Sequence, residues 1–389
     1  MKFKTVLTRI KKIKILILVL AVVVPQMTVF TEAVEFTGEI DALSAILVDA
    51  TTGRVMYEKN ADEPLPPASV TKIMTLLLVM EAIDSGTLKY EDTVRVSAYA
   101  ASMGGSQIYL KENEEMSVND LIKSVVVASA NDSAVALAEH IAGSEAEFVS
   151  RMNSRAKELG MANTHFENTN GLDDDVTNHV TSARDISIMS RELIKHEKIL
   201  EYSSIWMDSV RNGEFGLTNT NRLIRFYSGA NGLKTGSTGK AKFCISATAK
   251  RDGLQLIAVI MGSPTGDVRN EMAKKLLDFG FANYSYVSFE AGLPEDIKVS
   301  SGVKSSVSVE YPAFESVVEK NLGKDIVSEK VFLEDIKAPV TKGQKLGEVI
   351  YRAGDTEVGR VDIVAREDVD KITFPILVKM TLEKILLLK

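Results

Sequence analysis

Residues 66–83 read Pro66-Pro67-Ala68-Ser69-Val70-Thr71-Lys72-Ile73-Met74-Thr75-Leu76-Leu77-Leu78-Val79-Met80-Glu81-Ala82-Ile83. From Val70 onward the apolar positions recur every three or four residues, the period of a helix buried along most of its surface. The two prolines hold the approach extended, so the helix is expected to begin close to Ser69 and to end near Gly86. Ser69 and Lys72 then stand at i and i+3, on one face of the first turn. A serine hydroxyl becomes a nucleophile at neutral pH only with a base in hydrogen-bond reach. A lysine can be that base only if its amine is often neutral. Bringing its pKa from about 10.4 to near 7 or 8 costs about 4 kcal/mol. The positive end of the helix, burial and a second nearby cation all push that way.

The spacing alone is weak, because S-x-x-K recurs at Ser154/Lys157, Ser237/Lys240 and Ser301/Lys304. Ser154 lies in a polar helical pattern, Ser301 in a polar Gly-containing turn, and Ser237 directly after Lys234-Thr235-Gly236. Only Ser69 opens a strongly apolar helix.

A chain of 389 residues is long enough for two domains with ample core. Its net charge of −7 argues against a general nucleic-acid binder. Lys2, Lys4, Arg9, Lys11, Lys12 and Lys14 precede the unbroken apolar run 15–24, and Thr31-Glu32-Ala33 is an acceptable small-residue cleavage site. Residues 1–33 therefore read as a secretory signal peptide, with an uncleaved N-terminal anchor as the alternative. The run is shorter than the roughly 20 residues a spanning helix needs. An exported chain with a single cysteine, Cys244, has no intrachain disulfide, and Cys244 sits in an apolar strand-like run as a packed core thiol. Its four histidines, His140, His165, His179 and His196, form no metal-ligand pattern, so neither a metal site nor a cofactor is expected.

Residues 43–50 and 55–58 read as a hairpin across Thr51-Thr52-Gly53-Arg54. After the Ser69 helix the segment 94–110 is irregular, with Gly104-Gly105-Ser106-Gln107 a loop near the site. Helices follow at 118–128, 133–141, 145–159 and 181–196, and Ser129-Ala130-Asn131-Asp132 interrupts the first two, where Asn131 or Asp132 could serve only as an N-cap. Short strands and loops over 206–226 lead to a clear hairpin, 243–250 with 254–262, and a closing helix at 271–284. This order predicts an α+β domain, a helical cluster packed on an antiparallel sheet built from both ends of residues 34–286. Past residue 287 the texture changes to short strands at 307–311, 330–333 and 361–364, read as a small all-β sandwich over 287–373. Residues 374–389 are apolar, with Lys379, Glu383 and Lys384 clustered at helical spacing. They are too short to span a bilayer and read as an interfacial amphipathic anchor, or else as an element packed on the β domain.

Three short motifs now stand in order: Ser69-x-x-Lys72, Ser129-Ala130-Asn131 and Lys234-Thr235-Gly236. Each is cheap alone, and Ser117-Val118-Asn119 is a second S-x-N. Together they open an apolar helix, break two helices and precede a hairpin. In this set the chain resembles the low-molecular-mass penicillin-binding proteins, the D-alanyl-D-alanine carboxypeptidases, and the resemblance covers essentially the whole chain. The stretches 166–172 (Phe-Glu-Asn-Thr-Asn-Gly-Leu) and 181–185 (Thr-Ser-Ala-Arg-Asp) also look like that family. Ser237 departs from it, since the family often carries a histidine or another residue there.

The resemblance implies a β-lactamase/transpeptidase-like catalytic domain and, as substrate, a peptidoglycan stem peptide ending in D-Ala-D-Ala. β-Lactam antibiotics would be acylating inhibitors. Ser69 would attack the penultimate carbonyl, Lys72 take its proton, and water later hydrolyse the acyl-enzyme. Ser129 can relay a proton to the leaving amine, and Asn131 can hydrogen-bond Lys72 and the substrate amide. Lys234 offers positive charge to the substrate carboxylate and helps keep Lys72 neutral, and Thr235 can donate to the same carboxylate. By resemblance the backbone N–H groups of Ser69 and Ser237 form the oxyanion hole, with donors worth about 3 to 4 kcal/mol each. Arg269 aligns roughly with a family arginine near the carboxylate end, its alternative being a solvated helix-start arginine. A β-lactamase would share the three motifs but needs a carboxylate for its deacylating water. Glu167 followed by Asn170 is the candidate, one residue short of that enzyme's spacing. A catalytically silent wall-binding module is the other alternative, although such a module needs no nucleophile.

Overall fold

The computed structural model describes residues 34–174 and 176–386. The signal-peptide reading of 1–33 lies outside the described residues. A five-stranded antiparallel sheet organises the N-terminal three-quarters of the described chain. Its strands are β1 (Ser44–Asp49), β2 (Val55–Lys59), β3 (Ala230–Thr238), β4 (Lys242–Arg251) and β5 (Leu254–Ser263). The spatial order β2-β1-β5-β4-β3 joins the two ends of the domain in one sheet. In register, Ile46 faces Val259 of β5 and Lys234 of β3 faces Ser246 of β4.

The central strand β5 is buried over its whole length, so it has no solvent face and its residues alternate between two cores. Ile257, Val259 and Met261 join Ile46 and Val48 against the helical cluster. Leu256, Ala258 and Ile260 join Ala45 and Leu47 against the closing helix. The period of two thus explains why β1 and β5 read as continuous apolar runs, each face being covered by helix.

The helical cluster comprises α1 (Lys72–Asp84), α2 (Val118–Val127), α3 (Asn131–Ala142), α4 (Glu145–Glu158) and α5 (Ala183–Leu193). A turn of 3-10 helix, Ala68–Thr71, leads into α1 and carries Ser69. Ser117, Ser144 and Ser182 cap their helices by accepting the backbone N–H groups of Asp120, Glu147 and Asp185. The closing helix α6 (Gly266–Asn283) starts five residues earlier than its apolar pattern predicts. Thr265 caps it through Val268 N at 3.1 Å, so the polar first turn Gly266-Asp267-Val268-Arg269 is helical. This places Arg269 on the helix and not before it.

The C-terminal part is β-rich with its own core of Val307, Val309, Val349, Tyr351 and Ile363. Its four-stranded sheet uses Val309–Glu310, Ile326–Phe332, Lys345–Ala353 and Thr356–Ala365, and Lys345–Ala353 is a strand the alternation did not single out. Two smaller two-stranded sheets complete it. The last described element is the helix Phe374–Ile385, none of whose residues is buried. Phe374 and Ile385 are 79% and 71% exposed, so the helix does not pack on the β-rich part. Among the described residues no helix is long and apolar enough to cross a membrane.

Candidate active site

The three motifs meet where the 3-10 turn of Ser69, the start of α3 and strand β3 converge. Ser69, Ser129, Thr235, Gly236, Ser237 and Arg269 line one cleft of about 200 Å³, together with Ser106, Thr220, Phe243 and Gly266. Lys72, Asn131 and Lys234 lie beneath its floor, each no more than 2% exposed. All nine residues singled out from the sequence are therefore brought together. Ser106 belongs to the loop expected near the site, whereas Thr220 and Phe243 were not foreseen, because a lone hydroxyl or ring in a loop or strand carries no spacing signal.

Close approach of β3 to the turn requires glycine at 236. A Cβ there would lie 2.7 Å from Ser69 N and 2.9 Å from both Pro67 O and Val70 N. Glycine is also required at 171, where φ is +84° and a Cβ would sit 1.9 Å from Ala68 O. Ser129 holds a positive φ of 63°, a conformation that costs energy for a non-glycine residue and recurs at functional positions. Buried Asp132 steadies the cleft wall: its carboxylate accepts the backbone N–H groups of Ile108 and Leu110, which follow Ser106.

Lys72 Nζ makes three short contacts: 2.9 Å to Ser69 Oγ, 2.5 Å to Asn131 Oδ1 and 2.8 Å to the backbone O of Asn170. Burial first, and then the charge of Lys234, hold its pKa well below the ordinary lysine value, against a smaller pull from Asp132. Lys234 Nζ donates to Ser129 Oγ at 2.8 Å and to Thr235 O at 2.9 Å. Burial, and then neighbouring Arg269, bring its pKa down to about 7. Arg269 is 7% exposed, not a solvated arginine. Its Nε and Nη2 donate to Asn270 Oδ1, and its Nη1 to Cys244 O. Cys244 itself is buried, and burial pushes its thiol up to about 11. Thr235 Oγ1 donates to Thr220 Oγ1 at 2.8 Å, so a second hydroxyl stands beside it in the cleft.

The arrangement suits acyl transfer. A neutral lysine amine has two N–H groups and one lone pair. When the amine is neutral, the two carbonyl oxygens Asn131 Oδ1 and Asn170 O can accept its two N–H groups, which turns the lone pair toward the Ser69 hydroxyl. Asn170 acts through its backbone, so its side-chain type announced nothing, although it sits in the stretch 166–172 that drew attention for other reasons. Glu167 lies elsewhere: its carboxylate accepts the backbone N–H groups of Thr177 and Asn178, both at 3.0 Å, and it does not line the cleft.

Comparison with known proteins adds an independent line. A family model described as D-alanyl-D-alanine carboxypeptidase matches residues 28–265, and one described as penicillin-binding protein 5, C-terminal domain, matches residues 288–371. The D-alanyl-D-alanine carboxypeptidase DacF of Bacillus subtilis is 42% identical over 350 residues, 88% of this chain and 89% of that one. The crystal structure of penicillin-binding protein 5 from Haemophilus influenzae superposes with a TM-score of 0.77 at 30% identity, covering 87% of this chain and all of that one. The ampicillin-bound form of penicillin-binding protein D2 from Listeria monocytogenes matches with a TM-score of 0.55 at 33% identity over 62% of this chain and 98% of that one.

Proposed function

The chain belongs to the D-alanyl-D-alanine carboxypeptidase family of low-molecular-mass penicillin-binding proteins, and from that premise we propose which of its residues carry the reaction. It is a serine-type D-Ala-D-Ala carboxypeptidase of cell-wall metabolism. Ser69 is the nucleophile and Lys72 its base. The observation that carries this assignment is the placement of Lys72 Nζ between two carbonyl acceptors and the Ser69 hydroxyl.

As Ser69 Oγ bonds to the carbonyl carbon of the penultimate D-Ala, its proton passes to Lys72 Nζ. The backbone N–H groups of Ser69 and Ser237 receive the developing oxyanion. Collapse breaks the peptide bond, and the proton held by Lys72 passes through Ser129, which Lys234 holds in place, to the leaving amine of the terminal D-Ala, so that Lys72 is neutral again. Water then adds to the ester carbonyl as Lys72 accepts its proton; collapse breaks the bond to Ser69 Oγ, Lys72 returns the proton to that oxygen, and the shortened peptide leaves as its acid. Lys234, Thr235 and Arg269 gather positive charge and hydroxyl donors at the end of the cleft that receives the substrate carboxylate. Gly236 keeps that strand close to Ser69.

β-Lactams mimic an acyl donor with a nearby carboxylate, so the same residues are read as forming a covalent acyl-Ser69 with penicillin. A β-lactamase role for Glu167 is disfavoured by its engagement with the 177–178 backbone. We read residues 1–33 as an export signal, 34–286 as the catalytic domain and 287–373 as the β domain. The exposed apolar helix Phe374–Ile385 supports binding to a membrane surface through residues 374–389, at the outer face of the cytoplasmic membrane or in the wall. Release of D-alanine from a synthetic pentapeptide tests the assignment. Wild type is expected to release it and Ser69→Ala to bind the peptide without release. Release by Ser69→Ala at the wild-type rate would overturn it.

A further inference from the structure

The Asn170 carbonyl that receives one Lys72 proton is a backbone atom, so something else must hold it in place. Three contacts do so. Thr169, next to it, is wholly buried. Its backbone N–H and its hydroxyl both donate to Glu145 Oε1, at 2.9 and 2.7 Å. Its own carbonyl accepts the Thr75 hydroxyl at 2.6 Å. Thr75 stands one turn beyond Lys72 on α1, so the successive carbonyls of Thr169 and Asn170 dock on residues i+3 and i of one helix face. Glu145 is the first residue of α4. Its other oxygen, Oε2, accepts the Tyr99 hydroxyl at 2.7 Å. A side chain on a separate helix thus grips the segment 169–170 at two points and is itself oriented by a third.

We propose that Glu145 is a positioning residue for the reaction: through Thr169 it sets the Asn170 carbonyl against Lys72 and so aims the lysine lone pair at Ser69. Glu145 touches neither substrate nor the reacting atoms. Without it the segment 169–170 keeps only the Thr75 hydroxyl of these three contacts, so the Asn170 carbonyl can shift and Lys72 can turn an N–H in place of its lone pair toward Ser69. Misplacement by about 1 Å far from the chemistry can cost about 100-fold in rate. The loss belongs to the chemical step and not to substrate binding, because the carboxylate end of the cleft lies on other elements.

The inference rests on Lys72 being the base, and the test separates the two. Acylation of the full chain by a chromogenic cephalosporin is followed by stopped flow, giving the encounter constant and the acylation rate constant separately, with thermal unfolding in parallel. Glu145→Ala is expected to slow acylation about 10- to 100-fold with the encounter constant unchanged. Glu145→Gln is expected to recover most of the rate, because its amide oxygen can still accept both Thr169 donors. Thr169→Val, which keeps the backbone donor and loses the hydroxyl, is expected to fall between them and serves if Glu145→Ala does not fold. Acylation by Glu145→Ala at the wild-type rate, or by Glu145→Gln as slowly as Glu145→Ala, would overturn the inference. If Lys72→Ala acylates like wild type, the reading of Lys72 fails as well.

Discussion

Lys234 Nζ lies 2.8 Å from Ser129 Oγ, which ties strand β3 to the break between α2 and α3. The contact joins the second and third motifs directly, while Lys72 joins the first to the second through Asn131. Lys234 depresses Lys72, while Arg269 depresses Lys234, and the difference between the two buried lysines matters. Burial and Lys234 hold Lys72 well below its ordinary value, which favours the neutral amine that can accept a proton. Lys234, brought to about 7, still carries charge in neutral and mildly acidic solution.

The first prediction concerns pH. Lys234 is cationic below about 7 and loses its charge above it. In the proposed reading that charge serves the substrate carboxylate, so kcat/KM for a peptide with a free C-terminus is expected to decline as pH rises through this range in the free enzyme. Burial is the larger cause of the depression, but Arg269 is the next. Arg269→Gln removes that neighbouring cation, so the pKa of Lys234 rises and the alkaline limb moves up by about 0.5 to 1 pH unit, with a lower plateau. A limb that stays in place would show that another group titrates there.

Gly236 gives a steric prediction. A Cβ 2.7 Å from Ser69 N must push strand β3 or the 3-10 turn aside. Gly236→Ala is expected to cost about 1 to 3 kcal/mol of stability and to slow acylation about 100-fold. Thermal unfolding and the acylation rate measure the two effects. A variant with wild-type values for both would mean that the close approach is unimportant.

Much of the site was legible because its chemistry needs side chains at short local spacing. Ser69 and Lys72 sit on adjacent turns, and the apolar run behind them marks the helix that buries the lysine. Ser129-Ala130-Asn131 stood out as an interruption of apolar periodicity, and Gly236 belonged to the Lys234-Thr235-Gly236 motif, although the strand Ala230–Thr238 that carries it was not foreseen. What escaped notice works through backbone or through tertiary neighbours. Asn170 contributes a carbonyl. Thr220 matters only because folding sets its hydroxyl against Thr235. The start of α6 was misplaced because its first turn is polar, and capping by Thr265, not apolar periodicity, sets that end. Strand Lys345–Ala353 alternates in burial but is broken by charges, which hid it among turns.

Glu167 separates a carboxypeptidase from a β-lactamase. Its carboxylate holds the 177–178 backbone, outside the cleft. Glu167→Gln keeps an acceptor oxygen, so the lifetime of the penicilloyl-enzyme is expected to change by less than about twofold. Deacylation followed by loss of bound label measures it. A lifetime at least tenfold longer would mark Glu167 as the base for the deacylating water, as β-lactamases require.

The C-terminal helix predicts a separable membrane interaction. Phe374, Leu382 and Ile385 are exposed, with Leu377 and Val378 beside them. Removal of residues 374–389 is expected to abolish co-sedimentation with phospholipid vesicles and to leave D-alanine release from a soluble peptide unchanged. Equal vesicle binding by both forms would assign the interaction to another surface.

The most direct test of the account is the intact mass of the mature protein during incubation with penicillin, followed by peptide mapping. The expected result is one covalent penicilloyl group on Ser69, absent from Ser69→Ala and formed far more slowly by Lys72→Ala. No adduct, or an adduct on another residue, would contradict the assignment of Ser69 as the nucleophile on which the whole arrangement is built.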